Sequence, residues 1–241
     1  MSRVTLTAAF VALLLAAPLT AQDPAPVVTK ITADFGYVQV SGNTSVTTTS
    51  VGQKLTQSRG KLSFEQLVNF VYGEQNGVPN TNFLKAGVRA DYRLAGLFSA
   101  FASVAFDRNT FAGIERRFEE NLGLAWRAVG TERDTLRIEA GFSVTQQVST
   151  DGTESDFPAG RAALAYRHYF TPRSYFIQTA EGIPNFKTPE DWRVNAESSL
   201  IAPISARIGL KVSYVVRFDN LPEPTFQKTD KIFTTGLQIS F

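Results

Sequence analysis

The sequence predicts an all-β fold: a transmembrane antiparallel up-and-down β-barrel of about twelve strands. Three observations predict it. From Ile31 to Phe241 apolar residues recur with period two, and no long window carries the 3.6-residue period of a helix. Short links between these segments alternate with longer ones rich in Gly and Pro. The chain ends on an alternating stretch, "KIFTTGLQISF", where a terminus is ordinarily polar and frayed.

The first element is a leader. "MSRVTLTAAFVALLLAAPLTAQD" has one basic residue, Arg3, then an apolar run from Ala8 to Leu19, then small residues. This is the build of a secretory signal peptide over residues 1–21, with cleavage expected after Ala21 and the barrel domain at 22–241. The run falls short of the roughly 18 to 20 apolar residues that a spanning helix needs. Cysteine is absent, so no disulfide staples the fold and no cysteine-linked lipid anchors it.

Strands are expected at about 31–41, 45–56, 61–73, 81–93, 97–107, 115–128, 135–147, 159–170, 174–182, 191–201, 205–217 and 230–241. In the fourth, Leu84, Ala86, Val88, Ala90 and Tyr92 alternate with Lys85, Gly87, Arg89 and Asp91. The seventh sets Leu136, Ile138, Ala140, Phe142 and Val144 against Arg137, Glu139, Gly141 and Ser143. The second, "SVTTTSVGQKLT", is the least defined, because Val46, Val51 and Leu55 are too sparse to fix a face. Roughly ten or fourteen strands result if it merges with a neighbour or a loop extends into a hairpin.

The links "QSRG", "RLAG", "AVGTERD", "TPRS" and "APIS" are short or modest, whereas "GEQNGVPN", "DRNTFAGI", "STDGTESDFP", "EGIPNFKTPED" and "DNLPEPTFQKT" are mostly longer and polar. Transmembrane barrels have this asymmetry, with short turns on the periplasmic side, and an even strand number puts both termini there. A soluble sandwich or lipocalin-like carrier has no need of it. In hydrocarbon every backbone N–H and C=O must be satisfied within the protein, so the last strand has to pair with the first. That requirement explains the ending. The row Phe233, Leu237, Ile239 and Phe241 faces lipid to the last residue, and its terminal Phe resembles the endings of outer-membrane proteins handed to the barrel-assembly machinery. Aromatics group near the short turns (Tyr92, Phe98, Trp126, Tyr166, Phe170, Tyr175) and near the long-loop ends (Tyr72, Phe83, Phe106, Phe118, Trp192, Tyr214, Phe233), as two interfacial belts would require.

Composition excludes several function classes. Lys and Arg number 24 against 22 Asp and Glu, so no basic face is available for nucleic acid. The single histidine, His168, shares its parity with Leu164, Tyr166 and Phe170 and belongs to the outer face near the periplasmic interface. No Gly-x-Ser-x-Gly context accompanies it, so no catalytic residue is assigned and an outer-membrane enzyme is the remote alternative. Without Cys or a His pair there is no transition-metal ligand set, and Asp151, Glu154 and Asp156 lack the spacing of a calcium loop. No cofactor is expected.

The charges of interest lie on the inward parity. Glu65, Arg89, Asp91, Arg137, Glu139, Arg161, Arg167, Arg193, Glu197, Lys211 and Arg217 are expected to line the lumen, where a charge must be wetted or paired. Either the arginine excess lines water and favours anions, or Arg89 pairs with Asp91 and Arg137 with Glu139, filling a narrow barrel together with Leu67, Phe101 and Val215. The cluster "ERRFEE" (Glu115 to Glu120) is expected to be a solvated loop base.

"SGNT" (Ser41 to Thr44), "VYGE" (Val71 to Glu74), "FDRNTFAGIERRFEENLGLAWR" (Phe106 to Arg127) and "KTDKIFTTGLQISF" (Lys228 to Phe241) together resemble the YdiY-like family, the family 481 domain of unknown function. The likeness runs from about Ala33 to Phe241. It implies a barrel in the outer membrane of a Gram-negative-type bacterium, in a family described as salt-induced, and it implies no catalytic site. The expectation is therefore an exported envelope protein of the outer membrane: a narrow pore for small solutes linked to osmotic or salt stress, or a non-conducting structural or surface-interaction barrel. Its expected partners are outer-membrane lipid and lipopolysaccharide, the barrel-assembly machinery and periplasmic chaperones.

Overall fold

The computed structural model describes residues 26–40 and 46–241; the expected leader and the "SGNT" link lie outside the described residues. Twelve strands follow one another: β1 (Val28–Val40), β2 (Val46–Arg59), β3 (Leu62–Gln75), β4 (Val78–Arg93), β5 (Phe98–Asn109), β6 (Ile114–Gly130), β7 (Asp134–Ser149), β8 (Glu154–Tyr169), β9 (Tyr175–Pro184), β10 (Trp192–Pro203), β11 (Ile208–Asp219) and β12 (Thr229–Ser240). Each pairs antiparallel with its neighbours in sequence, and β1 pairs with β12, closing the ring. The weakly patterned second strand is real and registers with β3 along its whole length, from Val46↔Gln75 to Arg59↔Leu62.

Closure takes the last residue. The Phe241 N–H donates to the Ile31 carbonyl at 2.9 Å and Ile31 N–H returns a bond to the Phe241 carbonyl at 3.1 Å. On β12, Phe233, Leu237, Ile239 and Phe241 all lie exposed on the outer face while Gln238 is buried on the inner one. Phe35, Phe64, Leu122, Leu124, Phe142, Leu200 and Leu210 extend the exposed apolar surface around the ring. A hydrocarbon solvent accounts for so much outward apolar area; water does not.

The long-loop expectation needs correction at three hairpins, including the β5–β6 link, which is only residues 110–113. β3 and β4 are joined by Asn76-Gly77 alone, with φ of 52° and 76°, and β7 and β8 by residues 150–153. Asn-Gly suits a type I′ turn, whose twist matches the flanking strands, so pairing continues into "GEQNGVPN" instead of opening a loop. The longest connections are 185–191 and 220–228.

Two glycine pairs bend the wall. A Cβ on Gly36 or Gly236, between β1 and β12, or on Gly123 or Gly141, between β6 and β7, would come closer than 3.0 Å to backbone atoms of the facing strand. These corners are diametrically opposed in the ring of twelve. Curvature concentrated there leaves the walls between them close enough for side chains to meet across the interior.

Candidate functional site in the barrel lumen

Period two puts alternate residues of every strand on the inner face, and closure of the ring decides which of them meet. The central cluster is built on β4 and β7. Arg89 donates through Nε and Nη2 to both Asp91 oxygens (2.8 and 2.9 Å) and through Nη1 and Nη2 to both Glu139 oxygens (3.0 and 2.8 Å). Strands β5 and β6 separate β4 from β7 along the wall, so the Arg89–Glu139 bridge spans a quarter of the ring, over the Phe101 ring of β5. Glu139 also accepts from Arg161 at 2.7 Å, and its Oε1 lies 2.7 Å from Arg137 Nε. Arg137 bonds Asp91 in turn, and Arg161 donates to Glu181 at 3.2 Å. Three guanidinium groups thus face three carboxylates, the arrangement a low-dielectric interior requires of buried charge.

The same row supplies the floor. Asp91, Phe101, Gly123, Gly141 and Arg161 are successive register partners from β4 to β8. A Cβ on Gly123 would come within 2.9 Å of the Phe101 ring, so the ring, only 2% exposed, occupies the hollow that the glycines leave. The Arg89 guanidinium lies 4.0 Å and that of Arg161 5.5 Å from the Phe101 ring centroid. Contact with the aromatic face gives both cations a favourable cation–π placement beside their carboxylates. One row away, Asn121 Oδ1 and Ser143 Oγ are buried without a protein partner, positions that water would satisfy.

A second layer lies toward the long-loop end. Arg193 on β10 pairs with Glu119 on β6 at 2.9 Å and donates to Thr145 Oγ1 at 3.2 Å. Asp107 on β5 stands 3.5 Å from Arg217 and 3.7 Å from Arg117, which also bonds Gln147 at 2.8 Å. Arg217 lies 3.7 Å over the Phe83 ring, and Asn109 reaches Asp230 on β12 at 3.3 Å. Glu223, from the loop after β11, accepts from Gln147 at 3.2 Å and from Ser149. The remaining cavity among Lys85, Asp107, Arg117, Arg193, Arg217 and Asp230 measures about 50 Å³. That is room for a few water molecules.

At the short-turn end, Asp34 holds Lys211 at 2.7 Å and Gln238 at 2.9 Å, and Gln238 accepts from the Tyr175 hydroxyl at 2.7 Å. Arg167 donates to the Tyr169 hydroxyl at 3.1 Å and lies 5.8 and 5.3 Å from the Tyr169 and Tyr175 ring centroids. Lys54 and Glu65 form a wetter pair at 2.8 Å, and Glu197 accepts from Ser199 at 2.8 Å.

Of the residues singled out by parity, the structure gathers Arg89, Asp91, Arg137, Glu139 and Arg161 into one cluster, ties Arg193 and Arg217 to carboxylates across the ring, and ties Lys211 to Asp34 over the single strand β12. Glu65, Arg167 and Glu197 stand apart from the cluster. Sequence reasoning did not assign Asp34, Lys85, Asp107, Arg117, Glu119 or Glu181 to the site. Parity could have found Arg117 and Glu119: within "ERRFEE" they alternate with Phe118, which faces outward, and both are buried. The cluster is no solvated loop base, because β6 already begins at Ile114. Two belt assignments also change, since Phe83 and Tyr175 point inward, while Phe98–Trp126 and Trp192–Phe218 stack at opposite ends of the wall. His168 binds Asp134 through Nδ1 at 2.8 Å and packs edge-on against Phe170. Among the described residues no group of three or more His, Asp or Glu side chains is placed to hold a metal ion.

Comparison with known proteins adds three findings. The family model described as "Protein of unknown function, DUF481" matches residues 33–241. The "Uncharacterized protein YdiY" of Escherichia coli (strain K12) is 26% identical over 206 residues, covering 85% of this chain and 80% of that protein. Among solved structures, an outer membrane channel from Pseudomonas putida F1 matches with a TM-score of 0.50 at 12% identity, over 93% of this chain and 98% of that one.

Proposed function

The chain belongs to the DUF481 family, and from that premise and the geometry of its lumen we propose that it is a constricted, non-enzymatic channel of the bacterial outer membrane. It would admit ions and small polar solutes, with both termini in the periplasm and the longer connections outside. The observation that carries the proposal is that inward charges pair between separate strands, Arg89 with Glu139 over a quarter of the ring and Arg217 with Asp107 on the strand opposite, which narrows the lumen to a charged, partly hydrated passage. Opposed cations and carboxylates at a constriction discriminate solutes by charge and size. The barrel match to an outer-membrane channel supports the fold on which this rests. The link to salt or osmotic stress rests on the family resemblance and predicts a growth defect at high osmolarity in a strain lacking the gene.

The test is single-channel recording of the refolded protein in a planar bilayer, with heat-modifiable gel migration as the folding control. Small discrete steps are expected from the wild type, and larger ones from Arg89→Ala, which removes a side chain that fills the lumen between β4 and β7. A folded barrel that is silent in both forms overturns the channel reading. The cross-lumen pairs would then be a plug, and the second reading, a structural or surface-interaction barrel, would replace it.

A further inference from the structure

The connection from β11 to β12, residues 220–228, leans over the mouth of the barrel. Its roots are pinned to the near wall. Asp219 N–H donates to the Lys228 carbonyl at 2.8 Å, Asn220 N–H to the Trp192 carbonyl at 3.0 Å, and the Asn220 side chain to the Glu190 carbonyl at 2.9 Å. From this base the tip reaches the far wall. Gly113, in the β5–β6 link, stands opposite the β11–β12 hairpin in the ring of twelve, yet a Cβ on it would come 2.9 Å from Glu223 Cβ and 3.0 Å from the Phe226 ring. Only a residue without a side chain leaves the tip that room. Pro222, Gln227 and Lys228 line the same cavity as Lys85, Asp107 and Arg193, so the loop roofs the second charge layer.

The tip is held by little. Glu223 accepts from the Gln147 side chain at 3.2 Å and from the Ser149 hydroxyl, both on β7. Both donors are neutral, and one carboxylate thus carries the polar contact with β7. Pro222 and Pro224 flank it, fixing the backbone on either side and withholding two N–H donors from any further bond. Thr225, next along, sits at φ of 76°, a left-handed conformation that a β-branched residue keeps only where its surroundings impose it. Pinned roots, a stiff tip, a strained bend and one carboxylate contact make a strap that a local change can release.

We propose that residues 220–228 form a lid over the long-loop mouth, latched by Glu223 on Ser149 and Gln147, and that release of the latch opens the charged vestibule beneath to ions and small polar solutes. The lid adds a gate to the channel proposed above and rests on that reading for its purpose. Its detection does not require ion flow.

The chain has no cysteine, so Asn195→Cys places a single thiol in the cavity beneath the loop. The full barrel is folded into phospholipid vesicles, checked by heat-modifiable migration, and the labelling of that thiol by a membrane-impermeant maleimide is timed. The same measurement is made with Glu223→Ala, with Glu223→Gln, and with residues 221–227 replaced by Gly-Gly. Labelling is expected to be slow with the native loop and about tenfold faster in Glu223→Ala, as loss of a hydrogen-bonded charged acceptor implies. Glu223→Gln keeps an acceptor oxygen for both donors and should raise the rate far less. The shortened loop should label at least as fast as Glu223→Ala. Equal labelling with the native and the shortened loop overturns the lid, and a fast shortened loop beside a slow Glu223→Ala overturns the latch. Single-channel recording of the same proteins separates the two readings: a barrel silent in every form whose thiol still labels faster without the latch keeps the lid and removes the channel.

Discussion

Glu139→Ala is the sharpest test of the central cluster. The carboxylate is about nine-tenths buried and touches Arg89, Arg137 and Arg161. Its loss leaves three guanidinium groups facing Asp91 and Glu181 alone, a local charge of +1 where there was none. Removing one partner of a buried ion pair costs about 3 to 5 kcal/mol. Each arginine here keeps a second carboxylate, through Asp91 or Glu181, so the lower end applies and the expected loss is about 3 kcal/mol. Glu139→Gln keeps the shape and two acceptor lone pairs and should lose roughly half as much. The assay is urea unfolding of the barrel in lipid vesicles, followed by the fluorescence of Trp126 and Trp192. Combining Glu139→Ala with Arg89→Ala in a double-mutant cycle should give a coupling of about 1 to 3 kcal/mol. A loss below about 1 kcal/mol for Glu139→Ala would mean that water already solvates these charges, and the constriction would not exist as described.

Deleting Ile239 to Phe241 removes both Ile31–Phe241 bonds and should sharply reduce the heat-modifiable form, Phe241→Ala should lower it less, and Ser240→Ala should leave it near wild type; equal yields from all three would remove the assembly role of the ending. Gly123→Ala places a methyl group against the Ala140 carbonyl and the Phe101 ring and should cut the folded yield, whereas Gly182→Ala, with nothing within 4 Å of the added carbon, should change unfolding by less than about 0.5 kcal/mol. Gly77→Val forces a branched residue into φ of 76° at the β3–β4 turn and should cost roughly 1 kcal/mol or more in the same urea titration.

How much of the site was legible follows from what a period of two encodes. Alternation names the face of each residue, so Arg89, Asp91, Arg137, Glu139 and Arg161 stood out from the chain alone, and the local pairs Arg89–Asp91 and Arg137–Glu139 followed from i, i+2 spacing. It does not name partners. Arg193 meets Glu119 and Arg217 meets Asp107 only because strands distant in sequence face each other across the closed ring. Turns were misjudged where composition was weighed without geometry: Asn76-Gly77 is polar like a loop yet is the tightest hairpin connection available.

Alternation alone is enough to read a β-barrel with a greasy outside and a charged inside, because solvent on each face dictates the residue on each parity. It also determined that the last strand must close the ring, because hydrocarbon leaves no other partner for its backbone. The cross-lumen ion pairs and the close glycine contacts at Gly36 with Gly236 and Gly123 with Gly141 emerge only once the ring is closed. Those depend on curvature and on how far one strand slides along the next, which are set by the ring as a whole and by no local stretch of sequence.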